Sequence, residues 1–162
     1  MKKILLIILP LLLITACSDS IDFDDLVTRG GMFYEVNSDN PYSGDVVNYN
    51  KNNQKIMSAK LVNGRLNGRL VEMYDNGQKK EESTWKNGVL YGEFAKWYEN
   101  GQKKDEGGIK GEVLYGIHSR WYENGQKSEE MDFGDGDEGL VYRKTWTKKG
   151  VLSDTYGVSK NK

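Results

Sequence analysis

The chain has 162 residues, 37% of them hydrophobic and 29% charged, with a net charge of −1, which fits one folded domain and excludes a disordered segment. Nineteen glycines and ten tyrosines against two prolines point to many turns joined by aromatic strands, since Gly supplies positive φ and Tyr suits a half-buried pleated surface. A near-neutral charge argues against non-specific nucleic-acid binding, which runs on clustered Lys and Arg.

The N-terminus reads as an export signal over residues 1–16. Met1-Lys2-Lys3 is a basic start, and Ile4 to Ile14 is an apolar run broken only by Pro10, too short to span a bilayer as a helix. Ile14-Thr15-Ala16-Cys17 resembles the lipobox of bacterial lipoproteins, which makes Cys17, the sole cysteine, the expected lipid site. A lipid anchor of two or more chains attaches a protein to a membrane without spanning it. Loss of Lys2 and Lys3 with the signal takes the net charge from −1 to −3. Residues 17–25 are short, acidic and polar, and read as a tether. Ser18 rather than Asp after the cysteine looks like an outer-membrane address. The expected location is therefore the bacterial cell envelope, with the outer membrane, on its periplasmic or surface face, favoured.

Residues 26–43 read as an N-terminal capping hairpin, with Met32-Phe33-Tyr34 in its strand and Asn37-Ser38-Asp39-Asn40-Pro41 as a cluster of turn formers. From Gly44 the chain repeats itself every 24 residues. Trp97-Tyr98-Glu99-Asn100-Gly101-Gln102-Lys103 has copies at Trp121 to Lys127 and at Met73 to Lys79, and a worn one at Tyr49 to Lys55. A fixed period of this size marks a repeat architecture. Gly44, Gly68, Gly92 and Gly116 start four repeats, over residues 44–67, 68–91, 92–115 and 116–139. Asn76-Gly77, Asn100-Gly101 and Asn124-Gly125 are the dipeptide favoured in two-residue type I′ hairpin turns, and Asn63-Gly64 and Asn87-Gly88 form a second set. The nine and eleven residues between these turns suit strands of about 30 Å at roughly 3.3 Å per residue. The marker glycines then fall inside the longer strand, where Gly signals a bulge.

Alternation along a strand sets Val47/Tyr49, Val71/Met73, Ala95/Trp97 and Ser119/Trp121 on one face. Val46, Leu70, Phe94 and His118 lie on the other, with Tyr74, Tyr98 and Tyr122. Both faces carry aromatic columns broken by charges. The expected fold is all-β: an elongated, single-layer antiparallel meander of four to five 24-residue hairpin repeats, each advancing roughly 9–10 Å. Residues 140–162 form a degenerate last repeat and tail, with Val141 to Trp146 and Val151 to Tyr156 as its strands.

The run from a repeat-starting Gly through Trp-Tyr-Glu-Asn-Gly-Gln-Lys to Asn-Gly and the next Gly resembles the variant MORN repeat of the bacterial family known as YwqK-type antitoxins. Arg29-Gly30, Tyr34 and Pro41-Tyr42-Ser43-Gly44 are similar to the opening of those proteins, so the resemblance covers about residues 26–150. It implies this repeat architecture and an antitoxin or immunity partnership with a toxin. Related MORN repeats are credited with binding membranes or proteins.

Among candidate functional residues, His118 replaces Leu70 and Phe94 in its column and reads as a strand residue. No motif supplies it with an orienting partner for acid–base work. Glu81/Glu82 and Glu129/Glu130 read as solvated cross-strand charge pairs. Asp132, Asp135, Asp137 and Glu138 are a weak Ca²⁺ candidate without EF-hand spacing. Lys55, Lys79, Lys103 and Lys127 form a ladder beside the turns that could meet anionic headgroups or a polyanion. Trp97, Tyr98, Trp121 and Tyr122 are either the glue of a thin sheet or a platform for a protein or glycan. The expectation is a non-enzymatic, cofactor-free lipoprotein that binds a protein or envelope polymer. An antitoxin or immunity protein and a structural envelope protein lying against anionic membrane or wall polymer are the alternatives.

Overall fold

The computed structural model describes residues 20–137 and 139–157. Its strands are β1 (Ile21–Asp22), β2 (Leu26–Arg29), β3 (Met32–Glu35), β4 (Gly44–Tyr49), β5 (Lys55–Val62), β6 (Arg65–Leu66), β7 (Gly68–Met73), β8 (Lys79–Lys86), β9 (Val89–Trp97), β10 (Lys103–Lys110), β11 (Val113–Trp121), β12 (Lys127–Asp132), β13 (Tyr142–Trp146) and β14 (Leu152–Gly157). Twelve of these form one sheet that does not close. Its order follows the chain from β4 to β14, with β1 outside β4 and β6 beside β5. All its pairings are antiparallel except the short β1–β4 pair. This is the all-β antiparallel meander that the 24-residue period predicts.

The turns differ from expectation in one set. At Asn63-Gly64 and Asn87-Gly88 both residues have positive φ (50° and 70°, 54° and 80°), as type I′ requires. At Asn76-Gly77 only the glycine does (φ 83°), and the same holds for Gly101 and Gly125. Tyr74 N donates to Gln78 O at 2.7 Å and Gly77 N to Tyr74 O at 2.9 Å, and the β7–β8 register slips between Glu72 and Met73. These are three-residue turns that end in a left-handed glycine and a bulge. The Asn side chain selects this form: Asn76 Oδ1 accepts from Gln78 N at 2.9 Å, which leaves its amide NH₂ free to point onward. The marker glycines Gly68, Gly92 and Gly116 do have positive φ, and beside Gly92 and Gly116 the register slips by a bulge.

One face of the sheet is covered at its N-terminal end. Val46 and Leu61 are fully buried there with Ala59, packed by Ile21, Phe23, Leu26, Phe33 and Tyr42. Phe33 N donates to Gly64 O (2.9 Å) and Gly64 N to Tyr42 O (2.7 Å), so the β2–β3 hairpin clasps the first type I′ turn. Residues 21–25 depart from the tether expected over 17–25: β1 pairs with β4, and the 3₁₀ turn Phe23–Asp25 stacks Phe23 on Phe33 with ring centroids 4.9 Å apart. Two apolar side chains among five residues suffice to dock an otherwise acidic segment.

Beyond this cap the same face is sustained by alternating large and small side chains along paired positions. Val46 lies opposite Ala59, Leu70 opposite Ser83, and Phe94 and His118 side by side over Gly107. As the large member grows from Val to Leu to Phe and His, the small one stays at Ala or Ser and then falls to Gly. Ser83 is fully buried and His118 nearly so, which is how a single layer reaches interior-like packing without a second sheet.

Candidate functional site

The heptapeptides meet one another along one long edge of the ribbon, where most of their polar atoms go to the next copy. Tyr74 Oη donates to Trp97 O (2.8 Å), Tyr98 Oη to Trp121 O (2.7 Å) and Tyr122 Oη to Trp146 O (2.9 Å). Asn76, Asn100 and Asn124 donate their Nδ2 to the carbonyls of Glu99, Glu123 and Lys148 at 2.8–2.9 Å. The Gln side chains follow the same rule: a Cβ placed at Gly101 or Gly125 would collide with Gln78 or Gln102, so each glycine is also the seat for the preceding Gln. In the worn copy Asn50 stands where Tyr would be and bonds Asp75 at 3.0 Å. In the last, Thr147, Lys149 and Val151 stand where Tyr, Asn and Gln would be.

Lys79, Lys103 and Lys127 do not form a bare cationic row. Each pairs with the Glu three residues on: Lys79–Glu82 at 2.7 Å, Lys103–Glu106 at 2.5 Å and Lys127–Glu130 at 2.5 Å. The ammonium groups also lie over indoles, Lys79 at 4.9 Å from the Trp97 ring and Lys103 and Lys127 at 5.7 and 5.6 Å from Trp121, within cation–π range. Arg69 is a second partner of Glu82 at 2.5 Å, and the hydrogen bonds from Arg69 and then Lys79 hold the Glu82 carboxyl below its usual range. Lys55 has Ser58 at the corresponding position and no ion-pair partner among the described residues. The repeated Lys-x-x-Glu spacing is the sequence signal for these pairs.

Trp97 and Trp121 are half-buried on the face opposite His118. Beside Trp97 lies a trough of about 510 Å³, lined by Glu82, Thr84, Glu93, Phe94, Ala95, Trp97, Glu106, Gly107 and Ile117. Glu82 and Glu106 flank Ala95 in the register, so the floor is small and the walls are charged. Glu93 has no ion pair among the described residues and accepts only from Tyr115 Oη at 3.1 Å. Sequence reasoning missed Glu93 and Tyr115 because the bulge at Gly116 brings them together. A second trough of about 390 Å³, one repeat nearer the N-terminus, is lined by Lys55, Lys60, Arg69 and Asp45 around Ser58 and Val71. Lys79, Arg69 and Lys103 balance Glu82 and Glu106 at the centre of the face, and cations outnumber carboxylates in the trough toward the cap.

The opposite face carries an alternating charge row: Glu81–Lys96 (3.2 Å), Asp105–Arg120 (3.8 Å), Arg120–Glu129 (2.6 Å) and Arg143–Asp154 (3.4 Å). Burial pushes the Asp105 carboxyl up despite Arg120. His118 Nε2 lies 2.7 Å from Gly108 O, so that nitrogen carries the proton, and its ring packs against Phe94 and Phe133. Asp132 accepts from Gly134 N at 2.9 Å. Among the described residues no three of His, Cys, Asp and Glu come together as a metal site, and Glu138 lies outside them. Cys17 and the export signal also lie outside the described residues.

These features define a class: an open, single-layer repeat sheet whose copies are joined edge to edge by Tyr, Asn and Gln, and whose Trp-bearing face carries a shallow trough. Comparison with protein-family models, with curated proteins and with solved structures gives no match.

Proposed function

We propose that this chain is a membrane-anchored, non-enzymatic repeat lipoprotein of the variant MORN type, whose Trp-bearing face binds a protein or polymer of the cell envelope. The observation that carries the reading is the division of labour between edge and face. The heptapeptide Tyr and Asn side chains are engaged between copies, while the trough beside Trp97 is open, contains Glu93 with no ion pair among the described residues and passes into a more basic section near the cap. Half-buried indoles with a mixed-charge surround suit macromolecular binding surfaces. The residues of this face do not converge as a nucleophile, base and oxyanion donor would.

The reading is tested in two parts. Labelled palmitate should enter the wild-type protein and not Cys17→Ala, which then leaves the membrane fraction; retention of Cys17→Ala in membranes contradicts the anchor. The lipid-free Cys17→Ala protein should recover a specific partner from envelope extract, and failure to do so across salt and detergent conditions contradicts the binding role.

A further inference from the structure

The two ends of the sheet are finished differently. The N-terminal edge ends in a two-residue strand, β1, with the 3₁₀ turn beside it and Asn48 Nδ2 tied to Asp24 at 3.1 Å. Short and covered edges are how sheets avoid further pairing. The C-terminal edge is β14, six residues that are all exposed, with Leu152 at 52% and Tyr156 at 59%. It contains no proline or lysine, and its one charge, Asp154, is held by Arg143. One side of its backbone pairs with β13, and among the described residues no strand pairs with the other side, a row of donors and acceptors.

We propose that β14 pairs with β14 of a second copy of this chain, antiparallel, across a two-fold axis perpendicular to the sheet. Such an axis sets one residue opposite itself. Only the registers centred on Asp154 and Thr155 overlap most of the strand. The first opposes Asp154 to its own copy, and like charges directly opposite are unfavourable. The second sets Thr155 against Thr155, Asp154 against Tyr156 and Ser153 against Gly157, and brings Leu152 diagonal to the partner's Tyr156. This register leaves no like charges opposed and covers the two most exposed apolar side chains of the strand. Because the other edge is capped, pairing stops at two copies and the product is a closed dimer rather than a fibre.

The axis makes the test specific, since a charge placed at residue 155 meets itself. Sedimentation of the lipid-free Cys17→Ala protein should show a monomer–dimer equilibrium in the micromolar range. Adding Thr155→Lys or Thr155→Glu should weaken it about fivefold or more, with circular dichroism unchanged because the site is exposed. An equimolar mixture of the two should dimerise at least as well as the parent. A parent that stays monomeric through the high-micromolar range, a Thr155→Lys protein that dimerises like the parent, a mixture that fails to recover, or growth beyond two copies would each overturn the proposal.

Discussion

Replacing Gly107 by Ala tests whether alternating large and small residues hold this layer together. Gly107 has no positive φ, so the substitution carries no backbone strain of that kind, and in a strand interior it should regain about 0.5–1 kcal/mol. The new methyl, however, would collide with the His118 ring, nearest its Nδ1, and that ring is buried at 4% exposure and bonded to Gly108. Overpacking costs about 1–3 kcal/mol and the displaced bond about 0.5–1.5 kcal/mol. The net expectation is a loss of about 2 kcal/mol, or about 4–8 °C in Tm for a chain of this length. Adding His118→Val removes the ring that the methyl meets, and the double variant should recover about 1–2 kcal/mol relative to the sum of the singles. Urea denaturation followed by circular dichroism measures all four corners of the cycle. A Gly107→Ala protein within about 0.5 kcal/mol of its parent, or a double variant no better than additive, would refute the reasoning.

Tyr98→Phe removes one copy-to-copy bond at unchanged shape and should cost about 0.5–1.5 kcal/mol, measured by the same denaturation; no loss would mean that the hydroxyl row is ornamental. Tyr142 is pushed up to about 12 from 10.0 by burial and then by its bond to Glu130. Its contribution is therefore complete below pH 10 and lost as pH rises toward 12, so the parent should lose stability more steeply than Tyr142→Phe over that window in pH-dependent unfolding. Asp105 is raised by burial, so its charge opposes folding at neutral pH. Asp105→Asn should raise Tm at pH 7 and lose the advantage in acid, and a lower Tm at pH 7 would show that the Arg120 pair outweighs desolvation.

The architecture was legible because its determinants are local and periodic: Gly and Asn at turns, aromatic residues at alternate strand positions, and a shift of 24 residues. Turn geometry was only half legible, since Asn87-Gly88 and Asn100-Gly101 are the same dipeptide. They differ because Tyr98, two residues before Asn100, bonds across to Gln102 and opens a wider loop. The role of the lysine ladder was hidden for a related reason. Lys79 and Glu82 are three apart, which alternation would place on opposite faces, but the bulge near Met73 resets the phase and brings them to 2.7 Å. The Glu93–Tyr115 contact lies 22 residues apart, off the repeat period, and depends on bulges that sequence periodicity does not encode. Ile21 and Phe23 dock because the N-terminal end of the face would otherwise expose Val46 and Leu61.

The proposed division, in which the heptapeptides build the sheet and the Trp-bearing face binds a partner, is tested most directly by a pair of face-specific variants. Ala95→Arg fills the trough between Glu82 and Glu106, where Glu93 accommodates the new charge, and Lys96→Gln alters the neighbouring residue on the opposite face. Recovery of the envelope partner by the lipid-free protein should be abolished by Ala95→Arg and retained by Lys96→Gln, both with parental Tm within about 2 °C. Unchanged recovery by Ala95→Arg, or loss confined to Lys96→Gln, would contradict it.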